Sequence, residues 1–412
     1  MSASTTSTMP LWVRRVFSEP LRIGETELPE NVLLLAKIVA LAFITTGQIR
    51  LLSWHFLPFL PLFDHLGSPA VFHWVLVTIF LGAATALAYN KHVRICCLVL
   101  GGVILISLLS SRVYFENNRT YCACLLILAG LSSRGQSPWP IRLQVVIVYF
   151  GAALNKVLQQ DWRSGQFFAY WYGQIHCPQM WAHITALIPA MPLARLVCWA
   201  AIITEFVLVV GFLVPRWYTW SIWLGAAYHT TLLLVMNSTF GMFYYAMLAS
   251  YLAFVEWPRA PLQVRYDEDH GPWGRSLTRL QRLDTGRVFN WIAFDSNQKE
   301  NGVFQPHPHP PGRLLVLDDG KSYSGFAALK RILLFTPFVY FSYVILLGRQ
   351  AHLLQYDRWL AGAALAVFTP FLTPVGQAAY DWIVSRRRWT STGVSEEKSC
   401  KEEMIVGGQN QS

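Results

Sequence analysis

"VIVYFGAALNKVLQQDW", Val146 to Trp162, decides how this chain is read. It opens as an apolar run and then carries a lysine, Lys156, inside what reads as a membrane-spanning helix. An amine there needs a partner, a route to water or a task. The first matter is whether this helix lies in a membrane at all. Of 412 residues, 54% are hydrophobic and 14% are charged. An ordinary soluble domain carries about 25% charged residues. The deficit runs through most of the chain, so the expected class is an integral membrane protein.

A span needs about twenty apolar residues. Such runs lie near 32–52, 72–90, 94–112, 120–133, 141–158, 193–214, 217–237 and 240–256, which predicts about eight spans. No small-residue cleavage site follows the first run, so it reads as a membrane helix and not as a signal peptide. Residues 159–192 are rich in Trp and Tyr, side chains that favour the membrane interface. Interfacial or re-entrant helices are expected there.

The net charge is +10. Its basic residues sit at the ends of apolar runs: Arg14 and Arg15, Arg142, Arg216, Arg259, and Arg386 to Arg388. That distribution anchors and orients a membrane protein and does not point to nucleic acid. It predicts a multi-pass protein of the cell membrane, with membrane lipids as its first partners and both termini cytoplasmic. None of the seven cysteines forms a C-x-x-C pair, so no zinc or redox pattern is present and no metal is expected.

Composition changes after Trp257. "LQVRY" and "VFNWIAF" alternate like strands. "GRSLTRLQRLD" between them places Leu277, Leu280 and Leu283 on one helical face. "RLLVLDDGKSYSG" reads as a hairpin turning at Asp319-Gly320, and "FAALKRILL" as a helix. The division expected is a polar segment (1–31), a transmembrane domain (32–257), a small cytoplasmic α/β domain (262–331), a C-terminal pair of apolar helices with a basic end (332–388), and a polar tail (389–412). Alternating histidines in "QPHPHPP" are held extended by proline, which disfavours a metal site.

Lys156 has three readings. It snorkels to the interface, it pairs with Asp161 or another acid, or it faces a cavity. Tyr149, Ala152, Ala153 and Lys156 share a helical face, and the two alanines leave room beside the amine. An ionisable group at membrane depth is a functional candidate by default, and an amine can serve as a general base.

"IVYFGAALNKVLQQDWRSGQFF" resembles the signature helix of the HTTM family, the membrane domain shared with vitamin K-dependent gamma-carboxylase. The matching residues are Tyr149, Phe150, Ala152, Lys156, Asp161, Trp162 and Gly165. "ENNRTYCACLLILAGLS" and "AAYHTTLLLVMNSTFGMFYYAMLASYLAFV" resemble other segments of that family, and His229 falls where it often places histidine. The likeness covers about residues 30–256. It implies an HTTM-like helical bundle and a quinol cofactor such as reduced vitamin K or menaquinol. Lys156 would be the catalytic base, Asn118 and Arg119 would hold an oxyanion, and Tyr149, His229, Asp161 and Trp162 would line the ligand site. The carboxylase has histidine where this chain has Arg119, and arginine stays charged and cannot shuttle a proton.

"VRYDEDHGPWGRSLTRLQRLD" and "LLVLDDGKSYSGFAALKRIL" resemble the DCC family of thioredoxin-like proteins. Tyr266 and Asp267 match, while the two cysteines of that family fall on His270 and Trp273. Dithiol exchange needs both sulfurs, so the resemblance implies a degenerate, thioredoxin-like module. Two functions follow. One is a membrane enzyme in which Lys156 acts on a quinol or related lipophilic ligand. The other is a non-catalytic membrane factor that serves the maturation or docking of a secreted peptide or partner protein.

Overall fold

The computed structural model describes residues 19–52, 57–65, 67–113, 115–236, 241–258, 260–266, 280–284, 288–293, 314–318, 320–348 and 369–382. The chain forms two compact units, one of residues 1–257 with 337–365 and one of 258–336 with 366–412.

In the first unit each of the eight apolar runs is helical. The long helices are α1 (Glu30–Thr45), α2 (Pro69–Ala88), α3 (Val93–Leu109), α4 (Asn117–Leu131) and α5 (Trp139–Leu158). After α5 come the short helices α6 (Gln160–Ser164) and α7 (Gln166–Tyr170), a π-helical turn (Trp171–His176), and α8 (Pro178–Thr185). α9 (Ala190–Leu213), α10 (Tyr218–Met236) and α11 (Gly241–Ser250) follow, and a 3-10 turn, Tyr251–Phe254, extends α11. Among the described residues, α2, α5 and α9 are long and apolar enough to cross a membrane. A fourth crossing is added if the helices Phe326–Leu334 and Pro337–Ile345 count as one broken span. Length and composition therefore give three or four crossings where the sequence pattern suggested eight. α3 and α11 with its extension are apolar but shorter.

α1 is only sixteen residues long, and twelve of them, Asn31 to Ala40 with Ala42 and Phe43, are buried. That burial places α1 in the core of the bundle. The outward faces of the longer helices are apolar too. Val71, Trp74, Val75 and Ile79 on α2, Ile147, Phe150 and Leu154 on α5, and Ile203, Val207 and Val210 on α9 are all exposed. Water does not tolerate contiguous apolar faces of that extent on a monomer, whereas lipid does.

Close approach is built in where the helices cross. A Cβ added to Gly101 of α3 would lie 2.8 Å from the carbonyl oxygen of Ala123, and one on Gly130 of α4 would lie 2.8 Å from that of Arg94. Glycine lets two backbones meet at that distance. Helix C-termini leave carbonyls without partners, and cations from neighbouring helices take several of them. Lys37 donates to the carbonyls of Pro20 (3.0 Å), Arg22 (2.7 Å) and Ala88 (3.0 Å), the last of which ends α2. Arg94 Nε donates to Gly130 (3.1 Å) near the end of α4. Arg142 Nε donates to Ala253 (2.7 Å) in the 3-10 turn. Positive charge at these ends also opposes the helix dipoles.

The second unit holds four strands: β1 (Leu262–Tyr266), β2 (Phe289–Ala293), β3 (Leu315–Asp318) and β4 (Lys321–Ser324). The sheet order is β2-β1-β3-β4. β1 and β2 are parallel, with Leu262 opposite Phe289, while β3 is antiparallel to both β1 and β4. The expected strands, the hairpin and the closing helix, α12 (Phe326–Leu334), are all present. Gly320, at φ +80°, supplies the left-handed backbone of the hairpin turn that side chains with a Cβ disfavour. Asp284 accepts hydrogen bonds from the amides of Val288 (3.0 Å) and Phe289 (3.1 Å) and from the indole of Trp291 (3.2 Å), which fixes the start of β2. Burial nevertheless pushes its carboxyl above the usual range, against the pull of those three donors.

The described parts of the C-terminal segment divide between the two units. α13 (Pro337–Gly348) belongs to the first unit, where Tyr343 bonds Tyr244. Residues 369–382 belong to the second unit. There Gln377 Oε1 accepts from the Phe326 amide (3.0 Å), and the Tyr380 hydroxyl accepts from the Leu314 amide (3.2 Å).

Candidate functional site

α5 and α9 run antiparallel. Lys156 meets Glu205, and seven residues back on α5 Tyr149 meets Phe212, seven residues on along α9. The turn after α5 is tied to the same helix. Gly165 adopts φ +88°, and a Cβ there would lie 2.5 Å from the Arg195 nitrogen. Trp199 Nε1 donates to the Arg163 carbonyl at 3.2 Å.

At this junction Lys156 Nζ donates to both oxygens of Glu205, at 2.7 and 2.8 Å. The Tyr228 hydroxyl donates to Oε1 of the same carboxylate at 2.9 Å. The ammonium also lies over the Trp162 ring, 5.0 Å from its centroid. The side chains are 16% exposed for Lys156 and 5% for Glu205. Glu205 interrupts "AIITEFVLVV" in the middle of α9. Burying two charges costs several kcal/mol per ion even after relaxation, and close pairing offsets that only with further hydrogen bonds. Tyr228 and Trp162 supply part of that support.

A second polar group lies seven residues back on α5, about 10 Å along the axis. The Tyr149 hydroxyl bonds His229 Nε2 at 2.8 Å, and it also bonds the Tyr251 hydroxyl. Phe212 stacks between the two tyrosine rings, with centroids at 6.0 and 5.4 Å. His229 is buried, and its Nδ1 has no hydrogen-bond partner among the described residues. Tyr228 and His229 are consecutive, so α10 gives one side chain to each group.

The structure thus joins Lys156 to Trp162 and Tyr149 to His229. It also settles which acid Lys156 pairs with. The partner is Glu205, while Asp161 stands exposed. Arg119 is buried in the first turn of α4, where Nε donates to Gln48 Oε1 at 3.0 Å and Nη2 lies 3.3 Å from Glu116. Asn118 is half-buried beside it. The bonds of Lys156 run to Glu205 and not to Asn118, Arg119 or Asp161. His270, Trp273 and the "QPHPHPP" loop lie outside the described residues.

Sequence reasoning missed Glu205, Tyr228 and Tyr251. Glu205 had a signal: one acid inside a 24-residue apolar helix has to find a cation. The tyrosines had none, because hydroxyls in apolar runs are too common to single out. Among the described residues, no cluster of three His, Cys, Asp or Glu side chains could hold a metal ion.

No family model, curated protein or solved structure matches this chain. What fold and site define together is a class: a helical bundle with lipid-compatible faces and a buried ion pair, carried on the same chain as a small mixed-sheet unit.

Proposed function

We propose that this is a multi-pass protein of the cell membrane that binds a lipophilic ligand with an ionisable hydroxyl, a quinol in the class the HTTM resemblance points to. The Lys156–Glu205 pair would handle that hydroxyl's proton. One observation carries the reading: an ion pair is buried where α5, α9 and α10 meet, in helices with otherwise apolar surroundings. Such a pair is a weak source of stability compared with apolar packing, and ionisable groups at membrane depth mark ligand and proton sites. The buried Tyr149–His229–Tyr251 group extends the same seam with hydroxyls and an imidazole suited to a polar ring substituent.

A second reading is favoured by a different detail. Both oxygens of Glu205 already hold Lys156, which is what a strut would look like in a non-catalytic membrane factor that docks a secreted peptide or partner protein. Under either reading the small unit serves docking or stability. Only Cys400 of the seven cysteines lies in its part of the sequence, and one sulfur cannot run a dithiol cycle.

The test is to purify the full chain in detergent and identify co-purifying lipophilic molecules by mass spectrometry, beside Lys156→Ala. A quinone kept by the wild type and lost from the variant supports the ligand reading. A folded wild type with no such molecule supports the strut.

A further inference from the structure

The ligand reading leaves open which half of the ion pair receives the proton. We infer that Glu205 is the acceptor, and that Lys156 is the charge that holds the oxyanion left behind. This rests on the ligand reading above.

The hydrogen-bond inventory decides the roles. Glu205 Oε1 takes two donors, Lys156 at 2.7 Å and Tyr228 at 2.9 Å. Oε2 takes one, Lys156 at 2.8 Å. A carboxylate oxygen accepts along two lone-pair directions, while an ammonium has none. Among the described residues, Oε2 therefore keeps the open acceptor position of the cluster. A hydroxyl that reaches the pair can donate only there. In the step, the ligand O–H bond breaks and a new O–H bond forms on Oε2. The electron pair stays on the ligand oxygen, and Lys156 remains an ammonium beside it. The site holds one positive and one negative charge before the step and the same after it. No unpaired charge is created in an apolar interior, where it would be costly.

Trp162 and Tyr228 fit these roles. The indole face meets the ammonium at 5.0 Å, a contact that attracts a cation. Tyr228 occupies the second position on Oε1 and so leaves Oε2 as the reacting oxygen.

The test uses the full chain in detergent, without oxygen, and 2-methyl-1,4-naphthohydroquinone as probe. Absorbance of the bound hydroquinone and of its anion is followed across a pH series. Glu205→Gln keeps the size and one accepting oxygen but removes the basicity. In the wild type the proton stays on Glu205, so anion formation should release no proton to the medium; in the variant the proton can leave only to solvent, so about one proton should be released per anion formed. Equal proton release by wild type and variant overturns the assignment. The wild type gives an independent reading by infrared difference spectroscopy. Adding hydroquinone should remove a carboxylate band and raise a carboxylic-acid band, and binding without that change overturns the assignment as well. A folded wild type that retains no hydroquinone is a different failure, since it removes the ligand reading itself.

Discussion

Among the described residues, Lys37 is buried and Lys156 half-buried in this bundle, and their surroundings differ in kind. Lys37 is 4% exposed in α1 and gives its three N–H groups to three carbonyls. Lys156 gives two to one carboxylate and lies over an indole. Carbonyl oxygens cannot take a proton at ordinary pH, so the three partners of Lys37 offer its proton no acceptor. Glu205 can take one, so Lys156 belongs to a unit that has two protonation states at equal net charge. A buried cation is read by what faces it, not by its depth.

Four outcomes sharpen or break that contrast. The largest concerns the pair itself. Glu205→Leu leaves Lys156 uncompensated and should destabilise the protein by about 3–5 kcal/mol. Adding Lys156→Met should recover most of that loss, read as thermal unfolding in detergent. A double variant as unstable as the single one would show that the charges are not coupled. Next, Lys37→Met strands three carbonyls and should cost about 3 kcal/mol. No double variant in the apolar series should rescue it, because its partners are backbone.

In the small unit, Asp284→Ala removes an acceptor from three donors and should cost about 1–3 kcal/mol, seen as faster hydrogen exchange in β2. The sign with pH is separate. Burial raises the Asp284 carboxyl above its usual 3.8. A group raised in the folded state favours folding below its unfolded value, and that contribution is lost as pH rises through the folded value. Titrating upward from pH 3 should therefore loosen β2 through that window, and Asp284→Asn should flatten the trend. The smallest effect is Tyr228→Phe, which removes one donor from Glu205 and should cost about 1 kcal/mol while leaving the Lys156–Glu205 pair intact.

The parts legible in the sequence were those set by local pattern. The eight apolar runs became helices because nothing else satisfies an apolar backbone without water. Strand alternation placed β1 and β2, and the Asp-Gly turn placed β3 and β4. The number of crossings was not legible, because a run such as "NVLLLAKIVALAF" reads the same whether lipid or protein surrounds it. Lys37 went unnoticed for the same reason: its partners are carbonyls, and carbonyls leave no trace in side-chain spacing. Lys156 announced itself, but its acid lies 49 residues away, and only the packing of α5 on α9 could choose between Glu205 and Asp161. The division of the C-terminal segment between two units was equally hidden.

The central helix also sets an order of assembly. Ribosomes make α1 before the other long helices of the bundle, yet its closing contacts come late. Lys37 waits for Ala88, 51 residues on, and Asn31 donates to the carbonyls of Leu252 (3.1 Å) and Val255 (3.2 Å), more than 220 residues on. Until those segments emerge, the ammonium lacks the last of its three acceptors and the Asn31 amide lacks both of its own. A helix synthesised early is thus among the last to be finished, and a ribosome stalled before residue 250 would leave the Asn31 amide still open.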